Sequence, residues 1–421
     1  MTADAQPGAK PDATRRALLA GAAAAGAAAL VGARPGSGRI QEPAGSPTVP
    51  ADATKVPGAP TSALSARAPF EQPARAPVGQ VTGSSLTPIH QLSGTITPTD
   101  LQFERHHNGV PAIDPARWRL LLHGLVERPL SFTLADLRRL PSVTRIHFLE
   151  CAGNGRTGYR SPQRELSPQQ IDGMTANAEW TGVRVATLLA EAGARPVARW
   201  VLAEGGDAAV LSRSIPLEKM LDDALLAYAE NGEALRPAAG YPVRLFLPGW
   251  EGNTCIKWIR RLEVIAQPNM SRDETSKYTD PLPNDTARRF SFVMDVKSTL
   301  TRPTFPAVLE RPGWTELSGI AWSGRGKIER VDLSTDGGTS WQPAELQGPV
   351  LDKAHVRFTR MWKWDGRRTA LLSRAVDETG AAQPTLAEFR ARRGAGTDYH
   401  FNYIRTWVVE PDGRVFYGVD L

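Results

Sequence analysis

The chain has 421 residues, 41% of them hydrophobic and 22% charged, with a net charge of +6; that is long enough for about two or three domains with their own cores. Its lysines and arginines are scattered rather than gathered into runs, which argues against a nucleic-acid patch and fits an anionic substrate or an acidic protein partner. The two cysteines, Cys151 and Cys255, form neither a CxxC nor a CxxCH pair, so no structural zinc site or covalent haem is encoded; no flavin or dinucleotide motif is seen either.

At the N-terminus, Thr14-Arg15-Arg16-Ala17-Leu18-Leu19 leads into an Ala/Gly-rich apolar stretch from Ala20 to Val31, and Val31-Gly32-Ala33 offers a small-residue cleavage site. Residues 1–33 are expected to be a twin-arginine signal, which exports folded proteins to the periplasm. The apolar stretch is too short and too weakly hydrophobic for a stable membrane span. Residues 34–97 are rich in Pro, Ala, Gly and Ser, and the composition predicts a mostly disordered or loosely docked arm or linker.

Residues 98–290 mix short apolar strands with helical patterns. Strands are expected at Leu120 to Leu122, Arg145 to Leu149 and Val243 to Leu247, and helices at Thr181 to Ala192 and Leu217 to Ala227. The alternation is irregular, with a long loop from Gly155 to Met174, which predicts an α+β domain rather than a doubly wound sheet. Residues 291–421 change texture to short strands separated by turns, at Phe292 to Val296, Thr315 to Trp322, Val331 to Thr335, Val356 to Trp362, Thr369 to Val376 and Ile404 to Val409. Asp336-Gly337-Gly338 supplies a hairpin turn, and the spacing predicts an immunoglobulin-like all-β sandwich.

The stretch Phe148-Leu149-Glu150-Cys151-Ala152-Gly153-Asn154-Gly155-Arg156 concentrates the chemistry. It sets a potential soft-metal ligand among residues small enough for a bulky cofactor to approach the backbone. The plainer reading is a buried cysteine ending an apolar strand.

With its surroundings, this motif resembles the molybdenum-binding signature of the sulfite oxidase family. Phe103-Glu104-Arg105-His106-His107-Asn108 resembles the family's Arg-Asn-His segment, with His106 in place of the usual Asn. Ser214-Ile215-Pro216-Leu217, Gly240-Tyr241-Pro242-Val243-Arg244 and Pro248-Gly249-Trp250 follow in family order. Trp250-Glu251-Gly252-Asn253 and the run from Asp273 to Asp280 are similar to periplasmic sulfite dehydrogenases and to the sulfane dehydrogenase subunit of the thiosulfate-oxidising Sox system. The resemblance implies an α+β molybdopterin-binding domain followed by an immunoglobulin-like dimerisation domain, with one molybdenum–molybdopterin cofactor per chain.

Carried over by position, Cys151 becomes the protein thiolate on molybdenum. Arg105 and Arg156 become substrate-anion binders, suited by their forked donors, and Tyr278 the active-site tyrosine. Arg405 is a candidate for a further pocket arginine. The cofactor site takes Phe103, Glu104, Arg105, His106, His107, Cys151, Asp207, Arg244, Cys255, Ile256 and Lys257, with Arg244 and Lys257 suited to phosphate. Ala239 stands where the family usually has His. Without the family, each of these has an ordinary reading: loop histidines, a strand-end arginine, a solvated lysine, and a core cysteine at Cys255.

The expected reaction is oxygen-atom transfer to sulfite, with electrons passing to a separate c-type cytochrome. The alternative substrate is sulfane sulfur on the cysteine of a Sox carrier protein. A third possibility is methionine sulfoxide reduction, although those relatives typically lack the sandwich. From another class, the chain could be a non-catalytic periplasmic binding protein, which would purify without molybdenum. A homodimer through the sandwich and a heterocomplex with a cytochrome subunit are both compatible with the sequence.

Overall fold

The computed structural model describes residues 58–282 and 284–419. The twin-arginine segment and the beginning of the arm lie outside them. Residues 58–66 belong to a first unit and carry neither helix nor strand, while Arg67–Leu421 form one compact unit.

That unit begins inside the Pro/Ala-rich stretch, where the sequence predicted a loose arm. Strand β2 (Gly83–Leu86) pairs with β1 (Ala76–Gly79) on one side and β3 (Glu104–His106) on the other in an antiparallel sheet. Beyond β2, Thr87 and Ile89 are buried. Backbone pairing and a few well-placed apolar residues are enough to dock a segment that composition alone marks as disordered.

Ten strands build the next layer: β4 (Leu120–Gly124), β5 (Leu130–Phe132), β6 (Ser142–Glu150), β7 (Thr175–Arg184), β8 (Trp200–Gly205), β9 (Ser212–Pro216), β10 (Leu225–Glu230), β11 (Glu233–Ala234), β12 (Arg244–Phe246) and β13 (Ile259–Ile265). One sheet runs β11-β10-β7-β6 with β12 also on β10; the other runs β5-β4-β13-β8-β9, where only β13 and β4 are parallel. A single apolar core unites them, including Leu120, Trp180, Val201, Leu226, Phe246 and Leu262.

Two expected helices are shorter than their apolar spacing suggested. Thr181 to Arg184 finish β7, and the helix covers only Val185–Ala192, because Gly182 lies directly against the Leu226 backbone of β10, where any Cβ would clash. The helix Leu217–Asp222 stops before Leu225-Leu226-Ala227, which enter the middle of the sheet and are buried on both faces. A short fully buried strand and a buried helix share one apolar signature. The expected loop from Gly155 to Met174 contains helices at Arg156–Arg160 and Pro168–Asp172, the second started by a Ser167/Gln170 capping box.

A small ribbon, β14 (Asp280–Pro281) with β15 (Ala287–Arg288), leads to the C-terminal sandwich. Its strands are β16 (Lys297–Arg302), β17 (Gly313–Trp322), β18 (Ile328–Ser334), β19 (Gln342–Pro343), β20 (Glu345–Gln347), β21 (Val356–Trp364), β22 (Thr369–Asp377), β23 (Thr406–Val409) and β24 (Val415–Tyr417). The sheets β16-β17-β21-β20 and β19-β18-β22-β23-β24 enclose Leu300, Leu317, Phe358, Leu371 and Trp407. The Asp336-Gly337-Gly338 turn joins β18 to β19 with Leu333 opposite Gln342. The first strand begins at Lys297, so Phe292 to Val296 act as its lead-in, touching the first domain through a bridge from Val293 to Trp250.

The sandwich packs on the end of β6 through Phe148, Met294, Ile320 and Trp322. Among the described residues no helix is long and apolar enough to cross a membrane.

Candidate active site

A cavity of about 460 Å³ opens where the end of β6, the β3 segment and the loop after β12 converge. Cys151 lies one residue beyond β6, so the strand's register, with Glu150 opposite Thr175, places the thiol at the cavity wall. The following turn is closed by the Asn154 N–H donating to the Cys151 carbonyl at 2.9 Å and by Gly155 in the left-handed region (φ 96°). A side chain at Gly155 would collide with Arg405 and Phe401. Burial pushes the Cys151 thiol up, outweighing the Gly153 N–H and the charges of Arg105 and Arg156; a bound cation would reverse that rise in favour of thiolate.

Phe103, Glu104, Arg105, His106 and His107 form one wall. The Glu104 carboxylate accepts from Arg75 and lies 3.1 Å from Nε2 of His106; the His106 hydrogen bond, reinforced by Arg75, holds its pKa at about 2. Nδ1 of His106 is 2.8 Å from Lys257 Nζ, which also donates to the carbonyls of Arg105 (3.0 Å) and Ala238 (3.2 Å). Lys257 therefore braces two walls, rather than pointing a free ammonium at a phosphate as the sequence suggested. Burial, with Arg244 next in size, drives its pKa well below the lysine range.

Arg244 sits in the floor, donating to the carbonyls of Ala239 (2.9 Å) and Cys255 (3.0 Å). Where the family's His would stand, Ala239 thus contributes only a backbone oxygen, and Arg236 lines that rim. Asp207, Cys255 and Ile256 also line the cavity. The sulfur of Cys255 is committed to the core, accepting from the Leu247 N–H at 3.3 Å.

Tyr278 closes the opposite side. Its hydroxyl is 2.9 Å from His107 Nε2, and its N–H donates to the Tyr399 hydroxyl at 3.2 Å. Burial lifts the Tyr278 phenol above its ordinary range, and burial with Arg105 lowers His107 to about 4.

Two arginines depart from expectation. Arg156 does not line the cavity. It folds back along Gly153, lies over the Tyr399 ring at 5.4 Å, and donates through Nε and Nη2 to the Asp398 carbonyl. The 394–400 loop of the sandwich domain is also held by Arg160, on the carbonyls of Gly396 and Thr397, and so occupies the donors expected to meet substrate. Arg405 is fully buried and paired with Asp172 at 3.0 Å, away from the cavity.

The sequence assigned no site role to Arg213 or Asn253. Arg213 is completely buried, 3.2 Å from Glu251, with its guanidinium 5.3 Å from the Tyr278 ring centre. Asn253 lines the cavity, and neither its amide oxygen nor its nitrogen finds a partner among the described residues. Its place in Trp250-Glu251-Gly252-Asn253, an uncharged amide in a glycine-containing loop between apolar strands, was the available signal; Arg213 offered none.

Residues 107–272 match the model of the oxidoreductase molybdopterin binding domain, and 288–406 that of the Mo-co oxidoreductase dimerisation domain. The chicken sulfite oxidase is 34% identical over 69% of this chain and 68% of its own.

This chain belongs to the sulfite oxidase family.

The mouse mitochondrial sulfite oxidase is 32% identical over 72% of this family member, which spans only 60% of the mouse protein's length. Among solved structures, the sulfane dehydrogenase SoxCD from Paracoccus pantotrophus is 46% identical, with a TM-score of 0.83, covering 86% of this chain and 95% of that one. The cofactor of this family member is molybdenum–molybdopterin, and the cavity fits it. The Cys151 thiol stands at one side, and the unpartnered polar atoms of Asn253 and Arg244 Nε lie buried at the wall. Arg105 and Asn253 have the donors for a polar pterin, and Cys151 is the thiol for the metal.

Proposed function

We propose that this chain is a molybdopterin-dependent oxidoreductase that oxidises an anionic sulfur compound, with sulfite as its leading substrate. The observation that carries this is the convergence of Cys151, Arg105 and the Tyr278–His107 pair on one cavity. Cys151 would hold the molybdenum cofactor, which would supply two-electron oxygen-atom transfer to sulfur.

The chain's own residues do the rest. Arg105 gives the cavity a fixed positive charge that favours an oxyanion. Arg156, pinned by the 394–400 loop, adds a second charge at longer range. Tyr278 and His107, both neutral near pH 7, form a pair able to hold or pass a proton at the phenol oxygen. A separate c-type cytochrome is the proposed electron acceptor.

A second reading is sulfane sulfur carried on the cysteine of a Sox carrier protein, favoured by the 46% identity to a sulfane dehydrogenase. The dimerisation-domain match supports a homodimer, and the SoxCD likeness a heterocomplex. The Arg15-Arg16 segment supports export of the folded protein to the periplasm.

The test is to measure molybdenum by mass spectrometry and sulfite-dependent cytochrome c reduction on one purified sample. Stoichiometric metal with turnover supports the sulfite reading. Metal without turnover points to carrier-bound sulfane, and absence of metal returns the chain to a binding protein.

A further inference from the structure

The residue before the cysteine has no part in the site just described, yet it is one of the most heavily engaged carboxylates in the molecule. Glu150 is fully buried. Its Oε1 accepts from Lys297 Nζ at 2.8 Å and from Asn154 Nδ2 at 2.9 Å, and its Oε2 accepts from the Trp322 indole at 2.6 Å. Lys297 and Trp322 belong to the sandwich domain, as direct register partners across β16 and β17.

The contacts grip both ends of the Cys151 turn. Glu150 fixes the chain immediately before the thiol. Asn154 closes the turn through its N–H to the Cys151 carbonyl, and its own carbonyl lies 3.4 Å from Lys297 Nζ. Between them, the Ala152 carbonyl accepts the N–H of His400, again from the sandwich domain, at 2.8 Å. The charge is balanced locally, since Lys297 also lies 3.5 Å from Asp172, which pairs with Arg405.

We infer that Glu150, held by Lys297 and Trp322, is a positioning residue that makes the geometry of the Cys151 thiolate at molybdenum depend on the docked sandwich domain. The inference rests on the reading of Cys151 as the metal's protein ligand. A turn of small residues next to glycines has little rigidity of its own, and outer contacts that orient a ligand commonly change metal-site performance by about 10–100-fold. The second domain therefore serves the catalytic centre as well as any assembly it makes.

The test uses holoenzyme carrying Trp322→Phe, which removes one donor while keeping an aromatic ring in the interdomain core, and the double variant Glu150→Gln/Lys297→Met, which removes both charges together. The readouts are molybdenum content, the electron paramagnetic resonance signal of the half-reduced metal, and kcat apart from KM. The expected result is full metal loading, an altered resonance signal, and kcat lowered by about tenfold with KM little changed. Full loading with wild-type signal and wild-type kcat in both variants overturns the proposal, even if thermal stability falls. If one variant does not fold, the other decides. Wild-type protein without molybdenum overturns the ligand reading and this inference with it. A wild type that carries metal but does not turn over sulfite still reports through its signal, so the substrate reading and the positioning role fail separately.

Discussion

The Tyr278 hydroxyl and Nε2 of His107 lie 2.9 Å apart at the wall of the Cys151 cavity. Burial raises the phenol above its ordinary range and, with Arg105, lowers the imidazole to about 4, so neither group is charged at pH 7. Tyr278→Phe deletes the phenol and strands the imidazole. Steady-state kinetics should show kcat falling by about a hundredfold, the scale of a lost proton-handling group, with molybdenum content unchanged. A kcat within twofold of wild type would remove Tyr278 from the chemistry.

Arg156 and Arg160 allow anion binding to be separated from loop holding. Both donate to the 394–400 loop, but only Arg156 contributes charge at Cys151. Arg156→Gln should raise KM for sulfite by about two- to fivefold, the scale of a partly exposed charge acting without direct contact, and the wild-type KM should rise with ionic strength while the variant's rises less. If Arg160→Gln raises KM equally, the loop rather than the charge accounts for the effect.

The cysteine turn was legible in the sequence because its signal is local: a thiol among small residues, ended by a glycine. The β18–β19 hairpin was legible for the same reason, with Asp-Gly-Gly dictating its geometry. The arginines were not. A guanidinium facing an open cavity, a partner loop or a buried aspartate has the same sequence signature, and Arg156, Arg244 and Arg405 occupy three different settings. The partners of Glu150 were out of reach as well, since Lys297 lies 147 positions away and only the docking of two domains brings them together. Shortened helices at Val185–Ala192 and Leu217–Asp222 have a different cause, a buried strand reading like a buried helix face.

Arg405 illustrates a consequence for stability. Its guanidinium donates to both oxygens of Asp172, at 3.0 and 3.2 Å, and to the carbonyls of Phe401 and Tyr403, with every partner buried. Arg405→Met leaves Asp172 short of its main counter-charge and should destabilise the fold by about 3–5 kcal/mol, the scale of an orphaned buried charge, measured by chemical denaturation. KM for sulfite in the folded variant should stay near wild type. A selective rise in KM would restore Arg405 to the pocket.

His355 gives stability a defined dependence on pH. It is buried between Phe148 and Trp322, its Nε2 lies 2.9 Å from the Thr175 hydroxyl, and burial with the nearby Arg357 charge pushes its pKa from 6.5 to about 3. Below pH 6.5 the unfolded chain binds a proton that the folded chain refuses until about pH 3. This contribution to stability is therefore present above pH 6.5 and is lost as pH falls toward 3. His107 has the same sign but is shared by wild type and a His355→Phe variant, so it cancels in their difference. The variant should be less stable than wild type at pH 7, through loss of the Thr175 hydrogen bond, and the gap should narrow by roughly 2 kcal/mol on moving to pH 4.5. Guanidinium unfolding of both proteins at the two pH values measures that difference directly, and a constant gap would mean that His355 ionises in the folded protein as it does in the unfolded chain.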